Sequence, residues 1–150
     1  MKSRLFISGF TLCLLVTFFS CSEPRFSETF IPIEKVDSLG RYCFNLEMTD
    51  TAAFYDLSFY SRIDCTASMF QRISEFPLDV TFVSPSEIMY SERVYIPLPA
   101  FGKNNFPDFN FYERYRSGLV PVEYGMWKMY VSAPDIKGLR GLGLVVEKKQ

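Results

Sequence analysis

The sequence predicts an all-β chain: a single antiparallel β-sandwich of about seven to eight strands, immunoglobulin-like or jelly-roll-like. Three observations carry that prediction. Short runs with an apolar residue at every second position recur through the chain, separated by clusters of Gly, Pro, Ser and Asp. Beyond the N-terminal segment, no helical period is kept for more than a few residues. Aromatic residues make up 17% of the chain, and rings fill a pleated, half-buried surface well.

The start of the chain is of another kind. Lys2 and Arg4 precede an almost unbroken apolar run from Leu5 to Phe19, closed by Ser20 and Cys21. A charged start before a short apolar stretch is the layout of a secretory signal, too brief and wrongly flanked for a comfortable membrane span. A cysteine directly after a small residue resembles the lipobox of a bacterial lipoprotein, whose thiol is acylated and becomes the first mature residue. The expected organisation is a lipoprotein signal peptide at residues 1–20, a tether at 21–25 behind lipidated Cys21, and a β-sandwich domain at 26–150. An ordinary signal peptide cut elsewhere and an uncleaved anchor are the alternatives. Ser22-Glu23-Pro24-Arg25 is polar and short; at roughly 3.3–3.6 Å per residue it keeps the domain close to the bilayer.

The elements follow in order. Phe26 to Glu34 holds a weak first strand, with Pro32 marking an edge or a bend. From Arg41 to Met48, Tyr42, Phe44, Leu46 and Met48 alternate with Cys43, Asn45 and Glu47. Thr49-Asp50-Thr51-Ala52 then supplies a turn. From Tyr55 to Ile63, Tyr55, Leu57, Phe59 and Ile63 alternate with Asp56, Ser58, Tyr60 and Arg62. A hairpin with Met48 opposite Tyr55 puts both apolar sets on one face, so the two strands are expected to pair. That register keeps Cys43 and Cys65 apart, as free thiols, unless the two strands are not neighbours. Residues 66 to 76 form a helical turn or a bulged connection. Leu78 to Val83 is a strand ended by Ser84-Pro85-Ser86, and Met89 to Leu98 is another that prolines at 97 and 99 confine to an edge. Ala100 to Gly118 has no period and is expected to be a loop. Met126 to Ser132 and Leu139 to Lys148 are the last strands, and Gly141 and Gly143 suggest a bulge or a close backbone approach. Phe44, Leu46, Leu57, Phe59, Trp127 and Val131 are the expected core.

Composition excludes several functions. Removing Lys2 and Arg4 with the signal takes the formal net charge from −1 to −3, with acids and bases interleaved, so no basic stripe is left for nucleic acid. The chain has no histidine, which removes the usual neutral-pH base, the Ser-His and Cys-His systems and the commonest zinc ligand. Asp50, Asp56 and Asp64 lack calcium-loop spacing. No metal, no cofactor and no enzymatic activity are expected.

Four phrases in order carry a family resemblance: Tyr55-Asp56-Leu57-Ser58-Phe59-Tyr60-Ser61-Arg62-Ile63-Asp64; Val94-Tyr95-Ile96-Pro97-Leu98; Gly125-Met126-Trp127-Lys128-Met129-Tyr130-Val131; and the closing run from Gly138 to Lys148. With the lipobox upstream, they resemble the gliding-motility lipoprotein GldH family. The resemblance implies an outer-membrane-type lipoprotein of Bacteroidota-type bacteria, with a non-enzymatic role near the gliding and secretion apparatus.

The candidate binding residues lie in the aperiodic segment: Phe111, Tyr112, Arg114, Tyr115 and Arg116, beside Phe101, Lys103, Asn104, Asn105, Phe106 and Phe109. Rings beside guanidinium groups and amides suit an envelope protein partner or, alternatively, a sugar or peptide ligand. The plainer account is a lid packed over an open sheet. Tyr112, Tyr115 and Arg116 are expected to stay accessible while other rings anchor the segment. Glu87 with Glu92, or Asp108 with Glu113, are the carboxylate pairs a glycosidase would need at a separation of about 5 or 6.5–9.5 Å, but scattered solvated acids are the commoner case. Arg140, between glycines, is expected to pair with an acid across the sheet.

Replacing Cys21 by Ala is predicted to leave the protein unprocessed or soluble, because several acyl chains hold a protein on a membrane where one holds weakly. Labelled fatty-acid incorporation and membrane fractionation at high salt check it; a variant that is still acylated and sedimenting would refute the lipobox.

Overall fold

The computed structural model describes residues 26–73, 75–98 and 108–150. The signal segment, Cys21, the tether and residues 99–107, which include Phe101, Lys103, Asn104, Asn105 and Phe106, lie outside the described residues.

Eight strands form two four-stranded antiparallel sheets: β1 Phe26–Pro32, β2 Tyr42–Met48, β3 Phe54–Asp64, β4 Phe76–Val83, β5 Met89–Ile96, β6 Asp108–Leu119, β7 Gly125–Ser132 and β8 Leu139–Lys149. Sheet A has the order β1-β8-β3-β6 and sheet B the order β2-β7-β4-β5. Successive strands change sheet at every step except β4 to β5, which gives the jelly-roll form of the sandwich. A single helical turn, α1 (Ala67–Phe70), follows β3; the Thr66 hydroxyl caps it by accepting from the Met69 N–H.

The hairpin expected between the second and third strands does not form. β2 pairs with β7, with Leu46 opposite Trp127, whereas β3 lies in the other sheet between β8 and β6. The side chains assigned inward are nevertheless the inward ones: Tyr42, Phe44, Leu46 and Met48 from β2 and Tyr55, Leu57, Phe59 and Ile63 from β3 are all buried. Alternation states which face is apolar, and two strands facing each other across a core satisfy it as well as two strands side by side. Trp127 and Val131 complete the expected core. Among the described residues, Cys43 and Cys65 are free thiols, Cys43 exposed on edge strand β2 and Cys65 buried just beyond β3.

The aperiodic segment also differs from expectation, since its second half is the strand β6. Its inward face mixes Phe111 and Tyr115 with a half-buried Glu113. An extra residue at Tyr115 breaks the alternation, since Leu57 pairs with Arg116 and Ser58 with Arg114. The expected irregularity in β8 is present: Arg62 pairs with Gly141 and Ile63 with Leu139, so Arg140 is bulged out and its guanidinium meets Asp64. Gly143 has the ring of Tyr60 lying directly over it, where any Cβ would collide.

Phe44→Ala or Phe59→Ala, each removing a ring with almost no solvent exposure, is predicted to cost about 3–5 kcal/mol of stability in equilibrium denaturation. A loss below about 1 kcal/mol would mean that these rings do not pack as described.

Candidate functional site

β5 and β6 are each one of the two edge strands of their sheets, and they meet along one side of the sandwich. The bulge at Tyr115 turns two consecutive side chains of β6 toward one acid on β5. The Tyr115 hydroxyl donates to Glu92 Oε1, and Arg116 Nη2 donates to the same oxygen at 2.6 Å. The Tyr115 ring itself packs inward, 5.0 Å from Phe59 and stacked on Phe82 at 6.2 Å and 9°. Burial pushes the Glu92 carboxyl up, but the Tyr115 hydroxyl and the Arg116 guanidinium outweigh it and hold the group below its ordinary value. Burial and Glu92 together raise the Tyr115 phenol. Beside this cluster opens a cleft of about 400 Å³ whose walls include Phe82, Tyr90, Leu119, Val120 and Trp127. It is apolar apart from the Glu92–Arg116 pair and Ser117.

The outer face of sheet A carries a second arrangement. One row across the sheet reads Phe30, Gly143, Tyr60, Tyr112 on β1, β8, β3 and β6. Because Gly143 has no side chain, Tyr60 leans across β8 and meets Phe30, with ring centroids 5.8 Å apart. Tyr112 ends the row at 57% exposure. A groove of about 490 Å³ runs along these rings, bordered also by Phe26, Glu28, Arg62 and Asn110.

Strand geometry separates the five residues expected to bind together. Phe111 is buried against Phe76, ring centroids 5.0 Å apart and edge-on, so it is core. Tyr115 is half-buried between Phe59 and Phe82, which corrects the expectation that it stays accessible. Arg116 is exposed at the Glu92 edge. Arg114 and Tyr112 face outward from sheet A, with Arg114 4.0 Å from the Asp56 carboxylate. Glu92 is held by Tyr115 and Arg116, while Glu87 sits in the exposed β4–β5 turn at a left-handed φ of 66°. Among the described residues, no group of three carboxylates or thiols converges to hold a metal ion. The sequence reasoning missed Phe30 and Tyr60; the available signal was an outward glycine in a strand interior, a position neighbouring rings tend to cover. Comparison with protein-family models and with curated protein sequences finds no match to this chain.

Asp56 anchors the outer face of β3. Its side chain is 2% exposed, and it accepts from the Lys149 ammonium, the Gly118 N–H at 2.7 Å and the Ser117 hydroxyl at 3.0 Å. These bonds, led by Lys149, draw its pKa from 3.8 down to about 2. A lowered pKa contributes stability above the ordinary value, and that contribution is lost as pH falls toward about 2, because the unfolded chain takes up the proton first. Asp56→Asn is therefore predicted to lower the urea midpoint at neutral pH and to flatten its decline between about pH 4 and pH 2. Identical acid limbs in the two proteins would show that Asp56 is not linked to folding.

Proposed function

We propose that this chain is a lipid-anchored, non-enzymatic binding or scaffold protein of the cell envelope, whose partner is another envelope protein seated on the outer face of sheet A. The observation that carries this is the row of Phe30, Tyr60 and Tyr112, the first two rings in contact and the third on the cross-strand partner of Tyr60, along one outer face. Single exposed rings are ordinary, whereas a row of them edged by Arg62 and Asn110 has the make-up of a partner surface. The charged and apolar segment before Cys21 supports the anchor. The resemblance of residues 55–64, 94–98, 125–131 and 138–148 to the GldH family supports a place at the outer membrane, near the gliding and secretion apparatus.

A carbohydrate or peptide ligand is the second reading. It is favoured by the groove along the rings, where Asn110 and Glu28 set hydrogen-bonding groups beside aromatic faces.

Phe30→Ala combined with Tyr112→Ala is predicted to cut recovery of the partner from the native envelope at least about tenfold, about 1.4 kcal/mol. The Tm should stay within a few degrees, since both side chains are exposed. Undiminished recovery by a folded double variant would move the partner off sheet A. Discrete glycan-array hits that the same variant abolishes would establish the second reading instead.

A further inference from the structure

The end of the sandwich at which β1 begins is also where exposed apolar side chains gather. Phe26 pairs with Glu147 near the close of β8. Around it stand the β2–β3, β4–β5 and β6–β7 turns, and polar groups knit these together. Ser84 and Ser86 donate to Glu123, the Tyr124 hydroxyl reaches the Thr51 carbonyl at 3.5 Å, and Lys148 pairs with Asp50 at 2.8 Å. Thr49, Thr51 and Glu87 face water at these turns, and exposed apolar side chains stand among them. Val120 and Val122 flank buried Pro121, and Ile88 and Met89 project from the neighbouring turn, Val122 at 73% and Met89 at 71% exposure. At the opposite end Leu39 is as exposed, at 72%, but stands beside the Asp37–Arg41 ion pair. One exposed apolar residue needs no account; a cluster drawn from adjoining turns does.

Four residues separate Cys21 from Phe26. Whatever path they take, they span at most about 18 Å. With Cys21 acylated, this end of the sandwich is the one held against the bilayer. We infer that it lies on the lipid surface, with Val120, Val122, Ile88 and Met89 dipping into the boundary between headgroups and acyl chains. The inference rests on the acylated-Cys21 reading above. Lipid is the favoured occupant because the anchor makes its contact with the turns intramolecular, at high effective concentration, whereas a protein must be recruited from outside. The strands then stand away from the membrane, and the outer face of sheet A is presented sideways to a partner.

The test uses the full chain, purified from membranes in a Cys43→Ser background so that a thiol-reactive, environment-sensitive fluorophore marks only a cysteine introduced by Val122→Cys, Met89→Cys or Leu39→Cys. Labelled fatty-acid incorporation is measured on each sample, and the proteins are reconstituted into phosphatidylethanolamine–phosphatidylglycerol vesicles with or without a nitroxide-bearing lipid. The probes at 122 and 89 should lose at least about half their emission to the nitroxide lipid, as expected for groups about 5–10 Å into the interface, and the probe at 39 should lose almost none. Adding Val120→Asp should release the probe at 89 from quenching without changing acylation. Equal, weak quenching at 122 and 39 in an acylated protein would overturn the inference and leave the anchor standing. Absence of fatty acid would overturn both. A probe at 122 shielded from aqueous iodide yet untouched by the nitroxide lipid would assign the surface to a second copy of the chain.

Discussion

β8 is the strand on which sheet A depends. It pairs with β1 on one side and β3 on the other, and β1 has no other strand beside it within the sheet. To hold that position it must let its neighbours' side chains cross it. Gly143 does so by leaving room for Tyr60 to lie flat and reach Phe30, and a side chain at Gly141 would run into the Ile31 carbonyl. The outer aromatic row and the placement of β1 both follow from β8 being bare at these positions.

The two sheets are joined mainly by packed side chains, and their free edges are managed with charge. Edge strands invite pairing with other chains. Here β5 and β6 are tied to each other by Glu92, Tyr115 and Arg116, and β5 is further clipped to β4 by the Arg93–Asp79 ion pair. Paired exposed charges of this kind contribute little stability individually. Their effect is to set the register of the edges and to leave the Glu92 side of the cleft polar while its other walls remain apolar. Asp56 acts in the same way at the second irregularity of β6, its carboxylate taking up the N–H and hydroxyl that the disrupted ladder leaves at Gly118 and Ser117.

Some of the fold could be read directly from residues, and the reason is local. Inward and outward positions of β2 and β3, the prolines that end β1 and β5 at sheet edges and the bulge in β8 all follow from alternation, proline and glycine chemistry within a few residues, whereas the acid that Arg140 meets, Asp64, is set by the pairing of β8 with β3. β6 escaped because three local signals conflict: a half-buried Glu113 faces inward, Tyr112 faces outward, and the extra residue at Tyr115 shifts the phase midway. The candidate binding residues form a cluster in sequence that the same strand disperses, one to the core, two to the Glu92 edge and two to the outer face.

What the sequence determined by itself was the class of the fold, the inward residues of β2, β3 and β7 and the histidine-free chemistry of the surface, since each depends on residue type and a period of two. Which strands lie side by side was decided only in the tertiary structure. β2 and β3 present equally apolar faces whether they pair as a hairpin or oppose each other across the core; the choice rests on contacts with β7, β8 and β6, far away in the chain. The same holds for the aromatic row and the apolar turns around β1. Phe30, Tyr60 and Tyr112, or Ile88 and Val122, have no relation along the sequence and become neighbours only because the jelly-roll wrap brings distant strands and turns together.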